Sequence, residues 1–250
     1  MDAVNKFWHP FVASAMAGIA AWFLIQHAPH HEQPLKIQPV LVPDGRWPHH
    51  RRELEAKVGG DAAPDGSEVQ VDMPQELRMH NTGGLGRGGP GTGAGLCVFT
   101  SINHAALWQD VDVLKDLQKW MTTRPGGGYP EKVDAMIKKK CQEAGVPVPL
   151  YVQVEGSDLE PIKLALKTGR MVSNTYGFSP SGRYGGRRIA HMVNTVHGRA
   201  GYYGILDNNY PEQLEWLSED EYRRAYTTDG GWCVILLDPG PPPVPHNPRR

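Results

Sequence analysis

A thiol, an imidazole and a carboxylate stand in this chain in an order that could perform acyl transfer. Cys97 opens an apolar helical pattern, His191 lies on the strand-like run RIAHMVNTVHG (188–198), and Asp207 closes the next such run, GYYGILDNNY (201–210). A helix N-terminus offers free N–H groups and a favourable dipole, so it lowers the pKa of a thiol placed there. An imidazole can take the thiol proton, and a carboxylate or amide can fix that imidazole's tautomer and orientation. Arg199-Ala200 reads as the turn of a hairpin joining the two runs, which would set His191 and Asp207 side by side. Asn208 and Asn209 are the neighbours that a slip in register would bring there instead. Taken singly, each residue has a structural reading: Cys97 as a buried cysteine starting a core helix, His191 as a satisfied histidine, Asp207 as a turn former. Order, spacing and element type together are what point to chemistry.

The elements that must position these groups follow from periodicity. Apolar residues recur at helical spacing from Cys97 to Leu107, from Val111 to Met121 and from Glu131 to Glu143, the last with Val133, Met136, Ile137 and Cys141 on one face. His104, seven residues after Cys97, falls on the same helix face and reads as a packing or hydrogen-bonding residue. His197, near the hairpin turn, is expected to be exposed. Five of the eight residues from Gly88 to Gly95 are glycine, which implies backbone that turns tightly or lies close to something. A second run, Gly126–Gly128, is flanked by Trp120 and Tyr129, candidates for lining a substrate groove. From Val148 the period changes to that of strands, at 148–155, 171–178, 188–198, 201–210 and 231–238. Between the first two, a helix over 157–169 has Ser157 as N-cap and Glu160 at capping-box spacing. A short helix is expected after Ser218. Helices first and strands second predict an α+β fold with an antiparallel sheet.

Composition bounds the rest. The chain has 250 residues and a net charge of −1, which gives no electrostatic case for nucleic acid. Three cysteines without a C-x-x-C pair make neither a disulfide framework nor a zinc site, and no cofactor or metal is expected. In an exported chain Cys141 and Cys233 could pair and leave Cys97 free. Residues 1–26 form a hydrophobic segment whose uncharged run Phe11–Ile25 is short of the roughly 20 residues of a spanning helix. It reads as a signal, an anchor or a docking helix, so a membrane or an assembly is a candidate partner and an exported or membrane-associated location is slightly favoured over the cytoplasm. Residues 27–72 are a Pro/His-rich linker whose histidines read as solvated rather than metal-binding. A compact domain is expected over 73–238, and 239–250 is a Pro-rich tail.

The order of cysteine at a helix start, histidine on a strand and Asp at the end of the next strand resembles the papain-like cysteine peptidase superfamily. HMVNTVHGRAGYYGILDNNYP is similar to that superfamily's histidine hairpin. SDLEPIKLALKTGRMVSNTYGF is similar to the helix–loop–strand preceding the histidine in compact bacterial members, such as the bacteriocin-processing peptidases, in which Asp commonly replaces Asn. The resemblance covers residues 75–238. It implies a helical half carrying Cys97 packed on an antiparallel sheet carrying His191 and Asp207, and a peptide or protein as substrate. Two departures mark the chain as divergent. The family's oxyanion glutamine usually lies about six residues before the cysteine, where this chain has Gly91, so Asn81 and Thr92 become the candidate donors beside the Cys97 N–H. The Cys97–His191 separation of 94 residues is also shorter than the papain range of roughly 130–150. Two alternatives stand beside thiol hydrolysis: an inactive papain-like module serving as a structural or binding component, and transglutaminase-like or amidase acyl transfer at the same site.

Overall fold

The structure is a computed structural model that describes residues 69–71, 73–199 and 201–241, with the backbone of a short strand at 40–42. The expectations for residues 1–26, for nearly all of the linker and for the tail beyond 241 lie outside the described residues. Along the chain run β1 (Val40–Val42), β2 (Val69–Gln70), α1 (Cys97–Gln109), α2 (Leu117–Met121), α3 (Pro130–Ala144), β3 (Tyr151–Glu155), α4 (Glu160–Lys167), β4 (Val172–Thr175), β5 (Met192–Arg199), β6 (Tyr202–Leu206), β7 (Glu215–Ser218), α5 (Glu219–Thr227) and β8 (Trp232–Leu236). The fold is α+β. Six strands pair antiparallel in the order β3-β8-β4-β5-β6-β7. β1 adds in parallel to β3, and β2 pairs with β5 at His197 and Gly198, beyond the end of β4.

The pleat sorts side chains to two cores. Along β8, Trp232, Val234 and Leu236 face a core shared with α1, α2 and α3, whereas Cys233 and Ile235 face one shared with α4 and α5. Helices cover both faces, so the strand is buried along its whole length and reads as a continuous apolar run. The same alternation puts Cys141 in the first core and Cys233 in the second, so the sheet lies between them; all three cysteines are free thiols.

Several boundaries differ from the sequence expectation for identifiable reasons. The pattern over 111–121 splits into a 3-10 turn at Asp112–Leu114 and the short α2. Asn103 of α1 donates to Lys115 O (2.7 Å) and accepts from Gln118 N (2.9 Å), taking the groups a continuous helix would use. α4 begins at Glu160 rather than after Ser157, because Pro161 sets the first turn and Asp158 Oδ1 accepts the Glu160 N–H (2.9 Å). Arg199, expected in the hairpin turn, is the last residue of β5 and pairs with Tyr202, and Gly201 has φ 78°. A register shift between Thr195 and His197 marks a bulge. His197 is buried, against expectation, and lies edge-on to Trp216 with centroids 4.6 Å apart. Gly204 opposite leaves the room, since a Cβ there would lie 2.8 Å from the His197 Cβ. β7 escapes a hydrophobic pattern because one of its two inward residues, beside Leu217, is Glu215, which is buried and accepts from Tyr176 Oη (2.6 Å) and Ser179 Oγ (2.8 Å).

The glycine-rich approach to Cys97 is a hairpin. Leu96 N donates to Thr82 O, Gly84 N to Ala94 O and Gly93 N to Gly84 O, all at 2.8–3.0 Å. The second glycine run lies against it, with Gly127 N on Gly95 O at 2.8 Å. A Cβ on Gly126 would sit 1.8 Å from Ala94 O, and one on Gly84 2.4 Å from Gly126 N. These glycines are therefore required by backbone packed directly on backbone. Gly126→Ala should cost on the order of 1–3 kcal/mol, the usual range for overpacking. Gly240→Ala, whose Cβ would meet nothing within 4 Å, should be close to neutral. Denaturant unfolding of the two variants measures the difference, and equal stabilities would contradict this packing.

Candidate active site

Cys97, Ser101 and His104 lie at i, i+4 and i+7 of α1 and so share one face. That face is polar, and it docks on β5 through hydrogen bonds. Ser101 Oγ donates to Met192 O (3.1 Å), and Asn194 Nδ2 donates to Ser101 O (2.9 Å). His104 is fully buried between Met79 N, which donates to its Nε2 (2.7 Å), and Asn194 Oδ1, 3.1 Å from its Nδ1. Burial, only partly offset by the Asn194 contact, holds its pKa down at about 4, so it is a neutral structural residue. Asn208 Nδ2 reaches Cys97 O (3.1 Å), Ser101 Oγ (3.0 Å) and Met192 O (2.9 Å), clamping the first turn of α1 to the start of β5.

This docking brings the three predicted residues together. His191 sits one residue before β5 rather than on it, and its carbonyl still accepts Tyr176 N at 2.9 Å. Asp207 follows the last residue of β6. His191 Nε2 and Asp207 Oδ1 are 2.8 Å apart, and both side chains are buried. With Nε2 so engaged, Nδ1 is left for the Cys97 thiol, to which His191 is also hydrogen-bonded. Asp207, and not Asn208, is the residue that meets the imidazole.

Burial by itself would raise the Cys97 pKa. The hydrogen bond and charge of His191, with backbone N–H groups of Met192 and Val98, outweigh it and hold the thiol below its ordinary value. Burial likewise disfavours the imidazolium, yet the bonds to Asp207 and Cys97 push His191 up to about 9. Asp207 is held low despite its burial, chiefly by His191 and by the Asn209 N–H (2.9 Å to Oδ1). The shifts agree in direction, each favouring the thiolate beside the imidazolium.

A second set of contacts, which sequence reasoning did not single out, closes a circuit around this triad. Tyr184 Oη donates to Asp207 Oδ2 (2.7 Å), and Asn209 Nδ2 donates to Tyr184 Oη (3.0 Å). Asn81 Nδ2 donates to Asn209 Oδ1 (3.1 Å), and Asn81 Oδ1 accepts from Leu96 N (3.1 Å), the residue before Cys97. Tyr184 also meets the His191 ring edge-on at 5.8 Å. In the sequence it lies in SPSGRYGGR, whose glycines and serines signal a turn and nothing more.

Cys97 and His191 border a cavity of about 590 Å3. Backbone of Gly95, Gly127 and Gly128 forms part of its wall, and Asn81, Tyr184 and Trp232 line other parts. Of the candidate oxyanion donors, Asn81 is therefore at the cavity. Thr92 is exposed in the glycine hairpin, with its hydroxyl on Gly89 O (2.8 Å). The candidate groove residues Trp120 and Tyr129 do not line this cavity. Trp120 is held under the Arg124 guanidinium (3.3 Å from the ring centroid) and donates to Glu143 (2.8 Å), and Tyr129 is mostly exposed at the start of α3. The aromatic side chains at the cavity are Tyr184 and Trp232.

No family model matches the chain, and no curated protein matches it. Among solved structures it is similar to one from Bacillus anthracis. That crystal structure is described as a "putative C39-like peptidase"; the match spans 70% of this chain and all of that one, at 13% identity and a TM-score of 0.46. The likeness is one of backbone architecture and assigns no residue a role. Among the described residues no three His, Cys, Asp or Glu side chains group as a metal site, and no helix is long and apolar enough to cross a membrane.

The pKa shifts have a direct readout. Thiolate absorbance at 240 nm, taken as wild type minus Cys97→Ser, should rise with a midpoint below the ordinary thiol value of 9.0. His191→Gln removes the cation and should move that midpoint upward, because burial is then opposed only by the backbone N–H groups of Met192 and Val98. A wild-type midpoint at or above 9.0 would contradict the arrangement.

Proposed function

We propose that this protein is a papain-like thiol hydrolase that cleaves a peptide or amide bond through an acyl-enzyme on Cys97. The observation that carries the reading is the continuous hydrogen-bonded relay from Cys97 through His191 to Asp207, set at the wall of a cavity large enough for a substrate segment.

The chemistry follows from the geometry. The Cys97 thiolate adds to the substrate carbonyl carbon, and the carbonyl oxygen becomes an oxyanion. The Cys97 N–H belongs to the first turn of α1, whose N–H groups lack intrahelical acceptors. It would serve as one oxyanion donor. Asn81 would serve as the other: its Oδ1 is fixed by Leu96 N, one Nδ2 hydrogen goes to Asn209, and the second remains. This asparagine takes the place that the family gives to a glutamine just before the cysteine. His191 passes its proton to the departing amine as the C–N bond breaks, leaving a thioester. Water then attacks that thioester while His191 takes its proton, and collapse of the second tetrahedral adduct returns the thiolate and frees the acid. Asp207 holds the imidazole in place throughout.

Hydrolysis of a fluorogenic peptide mixture, followed by mass spectrometry for the thioester, tests the proposal. Cys97→Ala and His191→Ala should each lower turnover by on the order of 10³-fold or more, and Cys97→Ala should abolish the covalent adduct. Asn81→Ala should lower kcat by about 10²-fold with little change in KM, the signature of a donor used in the transition state. Activity that survives Cys97→Ala would overturn the reading.

A further inference from the structure

The cavity wall is mostly apolar or glycine backbone, and Asp229 is the one carboxylate among its lining residues; none of them is Lys or Arg. Asp229 follows the C-terminus of α5, three residues before Trp232 of β8, which also lines the cavity. The indole N–H is engaged by Gln153 Oε1 (3.0 Å), so the Trp232 ring is fixed in place. A carboxylate beside a rigid indole is a cation-recognition pair, supplying a charge-assisted hydrogen bond and a π face.

The chain itself shows what this carboxylate attracts. Arg188 places Nε 2.7 Å from Asp229 Oδ1, with Nη2 on the same oxygen. Arg188 belongs to the 177–191 loop, which also carries Tyr184, Ile189 and Ala190 of the cavity wall. Its side chain is 70% exposed and that of Asp229 24% exposed, so the pair is held in solvent from the Arg188 side. An ion pair of that kind is weak and opens readily. Within the loop Gly182, Gly185 and Gly186 have φ of 77°, 62° and 69°, so the segment leading to Arg188 is turned by backbone that a β-carbon would oppose.

We infer that Asp229 and Trp232 form a substrate subsite for a cationic side chain, Lys or Arg, and that Arg188 occupies the carboxylate until such a side chain replaces it. The inference rests on the proposed thiol hydrolase and names its substrate class: peptides with a basic residue close to the bond that is cut. Arg188 then acts as a mild internal competitor, and its release leaves the guanidinium in water.

Protection of Cys97 against iodoacetamide, read by intact mass, tests this without requiring turnover. The probes are capped peptides of one neutral sequence in which Lys, Ala or Glu is scanned through six positions. In at least one position the Lys peptide should protect at a concentration roughly five- to tenfold below its Ala counterpart, with Glu weaker still. Asp229→Asn should remove the Lys advantage and leave protection by the Ala peptide unchanged. Arg188→Ala should strengthen protection by the Lys peptide alone. If Asp229 only staples the loop to α5, the variants would weaken all peptides alike and the Lys-to-Ala ratio would stay constant, which overturns the subsite. Equal protection by Lys, Ala and Glu peptides, or protection by none of them, overturns it too while leaving the thiol hydrolase standing. A Cys97 that iodoacetamide does not modify overturns the hydrolase reading itself.

Discussion

The site depends on how α1 docks on β5. A helix that met the sheet through apolar contacts alone could slide by a fraction of a turn with little penalty. This one cannot, because its docking face carries Cys97, Ser101 and His104, and each has a directional partner. Asn208 touches two successive turns of α1 and the first residue of β5. Asn194 holds both Ser101 O and the His104 ring. Each such bond contributes only about 1 kcal/mol net, but leaving a buried partner unmade costs about 1–3 kcal/mol. The penalty for misplacement therefore exceeds the gain from any single contact, and it fixes the thiol against His191. The apolar residues of the same helix, Phe99, Ile102 and Ala106, provide the stabilising burial; the polar stripe provides the register.

The glycine segments solve a second problem on the other side of Cys97. Two loops must approach closely enough for backbone to contact backbone, so that Gly95, Gly127 and Gly128 present an open wall rather than side chains. The loop that carries Gly126–Gly128 is in turn secured from behind, where Arg124 stacks on Trp120 and both bond to Glu143. Trp120 thus acts on the site from outside the cavity, by fixing the loop. Asn81 joins the two systems. It ties the residue before Cys97 to Asn209 and, through Tyr184, to Asp207.

What could be read from the sequence and what could not follow a physical division. Cys97, His191 and Asp207 were legible because their signals are local: a helix start, a strand entry and the end of a hairpin strand. The strand β8 and Ser218 as the cap of α5 were legible for the same reason. The partners of Asp207 were not. Tyr184 and Asn209 meet through a loop whose composition encodes turns, and no spacing rule links residue 81 to residue 209. His197 was misjudged because its place near the hairpin turn suggested exposure, whereas Trp216 of β7 packs against it. β7 was missed because one of its two buried residues is a glutamate made tolerable by Tyr176 and Ser179, contacts that exist only after folding. The glycine run was expected to turn tightly or lie close to something, and it does both; the candidate donor at the cavity, Asn81, precedes it.

In the proposed site, His191 and Asp207 activate one thiol of three. Iodoacetamide labelling at pH 6.5, resolved by peptide mapping in wild type and Asp207→Asn, tests it most directly. Cys141 and Cys233 are buried, and burial raises both their pKa values, whereas Cys97 is partly accessible and its pKa is lowered. The account predicts a single adduct on Cys97 that forms markedly more slowly in Asp207→Asn. Labelling spread over the three cysteines, or a Cys97 rate indifferent to Asp207, would contradict it.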